Sequence, residues 1–215
     1  MSPRDRILAA LRTALGPRRT DPAAIMAEAA ALLSDPDATR PRLSPPDPVE
    51  AFAMRTVSKL GGTLDRVSEW PELPDAVHRY LTRHALPQVL AVQPDPVLRK
   101  LDWSGLELRD TIRPDEAAVL GRARWGIAET GTLVFHSGPD TAVLGHFLAL
   151  HHIVALRTAD ILPHLEDYAS VAGPAPRNVN LITGASGTTD IEGSYVRGAH
   201  GPEFLHVVLV GATSP

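Results

Sequence analysis

The sequence predicts an α/β fold built on a mostly parallel sheet with helices on both faces, preceded by an N-terminal helical arm. Three observations carry this expectation. From about residue 48 onward, segments with helical and extended periodicity alternate, separated by glycine or proline. Several of the extended segments, QVLAV, HHIVAL and FLHVVLV among them, are continuous apolar runs, the pattern of strands buried on both faces. Third, 8 of the 20 prolines fall within the first 48 residues, so the front of the chain is organised differently from the rest.

Ser2 as N-cap and Pro3 as first helical residue start a helix whose Ile7, Leu8, Leu11 and Leu15 share one face and which ends at Gly16. A second helix starts at Asp21-Pro22 and runs through AAIMAEAAALL, after which the prolines between 36 and 48 forbid continuation. Residues 1–47 are thus read as a helical arm with a stiff linker, and 48–215 as the α/β domain. In that domain VEAFAMRTVSKL reads as a helix stopped by Gly61-Gly62, GTLDRV as a strand, DAVHRYLTRHAL as a helix and QVLAV as a strand. LELRD follows as a weak strand, DEAAVLG as a short helix, TGTLVF as a strand, VLGHFLAL as a helix and HHIVAL as a strand. ADILPHLEDYA reads as a helix interrupted by Pro163, with NLITG and FLHVVLV as the last strands.

Composition removes several function classes. The 215 residues carry a net charge of −4 without a basic block, which argues against nucleic acid or anionic lipid as partner. No apolar run approaches a membrane span, and MSPRDRILAALRTALG lacks the apolar stretch of a secretory signal, so a cytoplasmic protein is expected. The absence of cysteine excludes disulfides, thiol nucleophiles and iron–sulfur clusters held by this chain's own thiolates; no cofactor of its own is expected. Among nine histidines, none forms a His-Glu-x-x-His pair, and His151-His152 point to opposite faces of a strand, so no metal site is predicted. Trp70, Trp103 and Trp125 are scattered and read as packing residues.

Two segments have the small, polar composition of loops that present backbone N–H groups beyond strand ends. The first contains Glu129, Thr130, Gly131 and Thr132. Burial among small residues would raise the pKa of Glu129 and fit it for acid–base or nucleophilic work; the alternative is a carboxylate that hydrogen-bonds a turn. The second contains Gly184, Ser186, Thr188, Thr189, Asp190 and Glu192, followed by His200 and Gly201. Its hydroxyls and glycines suit an anion cradle, but it lacks the lysine of a phosphate loop, and Thr188 breaks Gly-x-Ser-x-Gly. The alternative is a strand-to-helix turn in which Thr188 or Thr189 caps a helix. His200, between Ala199 and Gly201-Pro202, suits proton transfer or anion contact; it can equally be a solvated bystander.

Five ordered blocks between 128 and 202 (AETGTLV, HIV, ITGAS, TDIE and GAHGP) resemble the LUD domain of the lactate-utilisation protein C family. Two positions depart from its usual pattern: Leu148-Ala149-Leu150 precedes the histidine strand where proline is common, and Thr189 stands where alanine is common. The resemblance implies a three-layer α/β domain similar to the sugar-phosphate isomerase, glucosamine-phosphate deaminase and CoA-transferase-like superfamily. It also implies an accessory role in oxidising L-lactate to pyruvate, beside partner proteins that carry iron–sulfur clusters. No catalytic residue is assigned in that family, so the motif positions define a candidate pocket for a small carboxylate or phosphate, with Glu129 and His200 as catalytic candidates. A stand-alone enzyme acting on an acyl or sugar-phosphate substrate through those two residues, or a regulatory small-molecule-binding module, are the alternatives.

Overall fold

The computed structural model describes residues 2–16, 21–35, 40–189 and 191–211. The chain forms two compact units, Met1–Pro41 and Arg42–Pro215. In the first, α1 (Pro3–Leu15) opens with a reciprocal cap: the Asp5 N–H donates to the Ser2 hydroxyl at 3.1 Å, and the Ser2 N–H donates to the Asp5 carboxylate at 3.0 Å. Asp21 caps α2 (Pro22–Ser34) by accepting from the Ala23 N–H. Neither helix contains a buried residue, so caps and alanine-rich propensity carry much of their local stability.

The second unit is centred on a six-stranded, all-parallel sheet. Its strands are β1 (Thr63–Val67), β2 (Val89–Val92), β3 (Glu107–Arg109), β4 (Ala118–Arg122), β7 (His151–Arg157) and β12 (Phe204–Val210). They lie side by side in the order β1-β12-β7-β4-β2-β3. The predicted mostly parallel α/β architecture is therefore what the chain adopts.

Alternation along β7 and β12 sends successive side chains to opposite faces. On one face Ile153, Ala155, Val208 and Val210 meet Leu73, Val77, Tyr80 and Leu81 of α4 (Leu73–Arg83). On the other, Val154, Leu156, Val207 and Leu209 meet Phe52 of α3 (Pro48–Met54) and a second sheet. That sheet consists of β5 (Trp125–Ile127), β6 (Thr132–His136), β8 (Ile161–Leu162) and β9 (Val179–Thr183), in the order β8-β5-β6-β9. The second face is thus covered by strands as well as by a helix. Gly126 permits the approach: a Cβ there would lie 2.7 Å from Leu156 Cδ2 and 3.0 Å from the Phe52 ring.

Four local readings are corrected. DEAAVLG is not a helix; residues 118–121 are buried in β4, hydrogen-bonded between β2 and β7. An apolar run this short has no period to separate strand from helix, and the central position in the sheet decides. ADILPHLEDYA divides at Pro163 into β8 and α7 (Leu165–Val171), since proline cannot continue the hydrogen-bonding pattern. VLGHFLAL keeps one helical turn, α6 (Gly145–Leu148), just before β7; α5 (Pro96–Arg99) is likewise a single turn. Thr188 and Thr189 cap no helix; they lie in β10 (Gly187–Thr189), hairpin-paired with β11 (Tyr195–Arg197).

Candidate functional site

A cavity of about 320 Å³ opens between α6, the starts of β7 and β12, and the loop that leaves β9. It lies at the amino ends of the main-sheet strands. The loop expected beyond a strand's carboxyl end does follow one, but that strand is β9 of the smaller sheet.

Of the candidate residues, the structure brings Gly184, Ser186, His200 and Gly201 together around this cavity. Gly184 has φ +80°, and a Cβ there would press within 3.1 Å of Leu60, so the tight exit from β9 requires glycine. The Ser186 N–H donates to Pro202 O at 2.8 Å, and Ser186 O accepts from the Gly198 N–H at 3.0 Å, which pins the two loops together. His200 is an exposed residue on the rim.

The others stand elsewhere. Glu129 is half-buried but does not line the cavity: its carboxylate accepts from the Leu165 N–H at 2.8 Å at the start of α7. The turn-stabilising alternative describes its contacts. Gly131, at φ +72°, makes the β5–β6 turn. The hydroxyls of Thr130 and Thr132 are 2.7 Å apart, and Thr132 lies 2.7 Å from the Thr183 hydroxyl, so this turn reaches the cavity wall only through Thr183. Thr188, Thr189 and Glu192 belong to the β10–β11 hairpin region, outside the cavity lining. Asp190 lies outside the described residues.

Sequence reasoning missed His146 and His152. Both are buried, both line the cavity, and His146 Nδ1 lies 3.2 Å from His152 Nε2. Phe135 packs against both rings, 4.0 Å and 5.7 Å between centroids. Burial pushes His146 down to about 4; burial and the neighbouring His146 hold His152 well below the ordinary histidine value. Both rings are therefore neutral at pH 7, with one proton each. Whichever ring donates across the 3.2 Å contact, the outer atoms, His146 Nε2 and His152 Nδ1, comprise one bare acceptor and one N–H. Neither outer nitrogen has a hydrogen-bond partner among the described residues. Such a pair can accept a proton at one end and release another at the other. His151, by contrast, projects to the opposite sheet face, where its Nδ1 lies 2.9 Å from the Tyr80 hydroxyl. The predicted opposition of His151 and His152 holds.

The family model of the LUD domain matches residues 95–210, a segment that includes every residue lining the cavity. The chain belongs to the LUD domain family. Among curated relatives, lactate utilization protein C of Anoxybacillus flavithermus is 31% identical over 50% of this chain and 51% of its own length. The Geobacillus kaustophilus protein of the same name is 33% identical over 50% and 49%. This chain spans about half the length of these two relatives. Lactate utilization protein C of Deinococcus radiodurans is 29% identical over 80% of this chain and 89% of its own. A crystal structure of a DUF162 family protein from Deinococcus radiodurans superposes with a TM-score of 0.52 at 22% identity, over 76% of this chain and 96% of that one, and supports the fold of this LUD domain. Among the described residues, no helix is long and apolar enough to cross a membrane and no group of three or more acidic, histidine or cysteine side chains is placed to hold a metal ion.

Proposed function

We propose that this LUD domain protein is a cytoplasmic accessory component of a system oxidising L-lactate to pyruvate, and that the His146–His152 cavity receives a small carboxylate. The observation that carries the reading is the match of residues 95–210 to the LUD domain, together with relatives named for lactate utilisation. The cavity supports it chemically. Its size suits a small molecule, its walls are partly apolar, and the histidine pair offers one donor and one acceptor without a protein partner among the described residues. With no cysteine to hold an iron–sulfur cluster, the chain leaves electron transfer to cluster-bearing partner proteins. Phosphate is the less suited occupant, because no lysine or arginine lines the cavity. A stand-alone enzyme using Glu129 with His200 finds no support in the geometry, since Glu129 is engaged at α7 and absent from the lining.

The test is genetic and biochemical. Deletion in the native host should abolish growth on L-lactate, affinity capture should recover cysteine-rich partners, and complementation with His146→Asn or His152→Asn should fail although the variants fold. Normal lactate growth of the deletion strain, with no such partner recovered, would overturn the proposal.

A further inference from the structure

A second crevice, of about 290 Å³, lies outside the carboxyl ends of β2 and β4. In the strand order, β3 lies on one side of β2 while β4, β7 and β12 run away on the other, so the chain reverses direction across the sheet between β2 and β4. Open α/β sheets bind ligands in the crevice that such a reversal creates. None of the sequence motifs touches this place.

Its polar groups are rigidly held. Gln93 is buried; its Oε1 accepts from the Arg122 N–H at 2.8 Å, and its Nε2 donates to Asp140 O at 2.8 Å and to the Thr141 hydroxyl at 3.1 Å. Thr141 is therefore an acceptor toward Gln93 and keeps its own proton to donate. Asp95, also buried, is fully engaged: Oδ1 accepts from the Val97 and Leu98 N–H groups, and Oδ2 accepts from Arg122 Nε at 2.9 Å and lies 2.8 Å from its Nη2 in an ion pair. That ion pair fixes the Arg122 guanidinium and leaves its Nη1 without a partner among the described residues. Arg124 lies over the Trp125 ring at 5.2 Å and has no carboxylate within ion-pair distance among the described residues. Asp140 stands at the exposed rim.

The lining residues thus include two arginines and two aspartates, with the Asp95 carboxylate consumed internally and the Arg124 guanidinium stacked on Trp125 near His136 and Tyr168. We propose that this crevice is a second small-molecule site that binds a small hydroxycarboxylate, its carboxylate on Arg124 and the free edge of Arg122 and its hydroxyl on Thr141 and Asp140. A fork of guanidinium N–H groups matches a planar carboxylate. A phosphate dianion is disfavoured because its third oxygen and second charge would face Asp140. The assignment stands apart from the lactate reading, since it rests on the crevice and not on the histidine pair.

The test is calorimetric titration of the whole chain with glycolate, L-lactate, glycerate and inorganic phosphate at pH 7, repeated on Arg124→Gln, Arg124→Lys and, as a control on the exposed side of α4, His78→Asn. The expected result is binding of at least one hydroxycarboxylate more tightly than phosphate. Arg124→Gln should weaken it at least tenfold, the value of one charge-assisted hydrogen bond, Arg124→Lys less, and His78→Asn not at all. Hydroxycarboxylate binding of wild-type strength in Arg124→Gln would place the ligand outside the crevice and overturn the assignment. Equal or tighter phosphate binding, or no binding to the wild-type chain, would overturn it as well.

Discussion

The buried histidines make the domain lose stability as the pH falls from 7 to 5. Burial pushes His146 and His206 each down to about 4; His206 also faces Arg83 and His84, which depress it, and Asp65, which opposes them. The native imidazoles stay neutral until about pH 4, whereas in the unfolded chain they protonate near 6.5. Between those values the unfolded state binds more protons, so stability falls as pH drops through this window. From pH 7 to pH 5 each histidine removes about 2 kcal/mol, hence about 4 kcal/mol for the two. His151 and His152, both also depressed by burial, act in the same direction. Against a total stability of about 5–15 kcal/mol, this removes from about a quarter to most of it by pH 5. Urea unfolding followed by circular dichroism at pH 7, 6 and 5 should show the loss, and His146→Gln combined with His206→Asn should flatten the profile. A wild-type stability constant within about 1 kcal/mol between pH 7 and pH 5 would refute the argument, because imidazoles that protonate in the native state cannot be desolvated in the manner described.

Four further outcomes are expected. Gly126→Ala should cost about 1–3 kcal/mol through overpacking against Leu156 and Phe52, read as a lower melting temperature. Ala85 has φ +52°, so Ala85→Gly should raise stability by about 1 kcal/mol in chemical denaturation. Glu129→Gln should leave ligand binding intact and stability nearly unchanged, whereas Glu129→Ala should cost about 1 kcal/mol by orphaning the Leu165 N–H; loss of ligand binding in the glutamine variant would restore Glu129 to the site. Asp95→Ala should destabilise by about 2–3 kcal/mol, since it removes both the cap of α5 and the partner of Arg122, and a thermal scan checks it.

Much of the fold was legible because buried parallel strands are written as apolar runs: QVLAV, HHIVAL and FLHVVLV fall where β2, β7 and β12 form. β4 was misread because Ala-Val-Leu suits a helix equally, and only hydrogen bonding to β2 and β7 resolves it. TGTLVF and NLITG, read as strands, form β6 and β9 of the small sheet, whereas β5 escaped because Trp-Gly-Ile is too short for any period to show. At the site, glycine and serine signalled the 184–187 loop and the His200 turn through their conformational demands. The pairing of His146 with His152 left no such signal: one residue sits in a single helical turn and the other on a strand, and their contact depends on how that turn folds back.

The two loops around the cavity are joined through backbone atoms alone, Ser186 N–H to Pro202 O and Gly198 N–H to Ser186 O. Apart from the glycines that its positive-φ positions require, a clasp made of main chain is indifferent to the side chains it carries. The residues on the rim, His200 included, can therefore be exchanged without loosening the walls, so ligand preference in this domain can change by single substitutions while the frame that shapes the cavity stays the same.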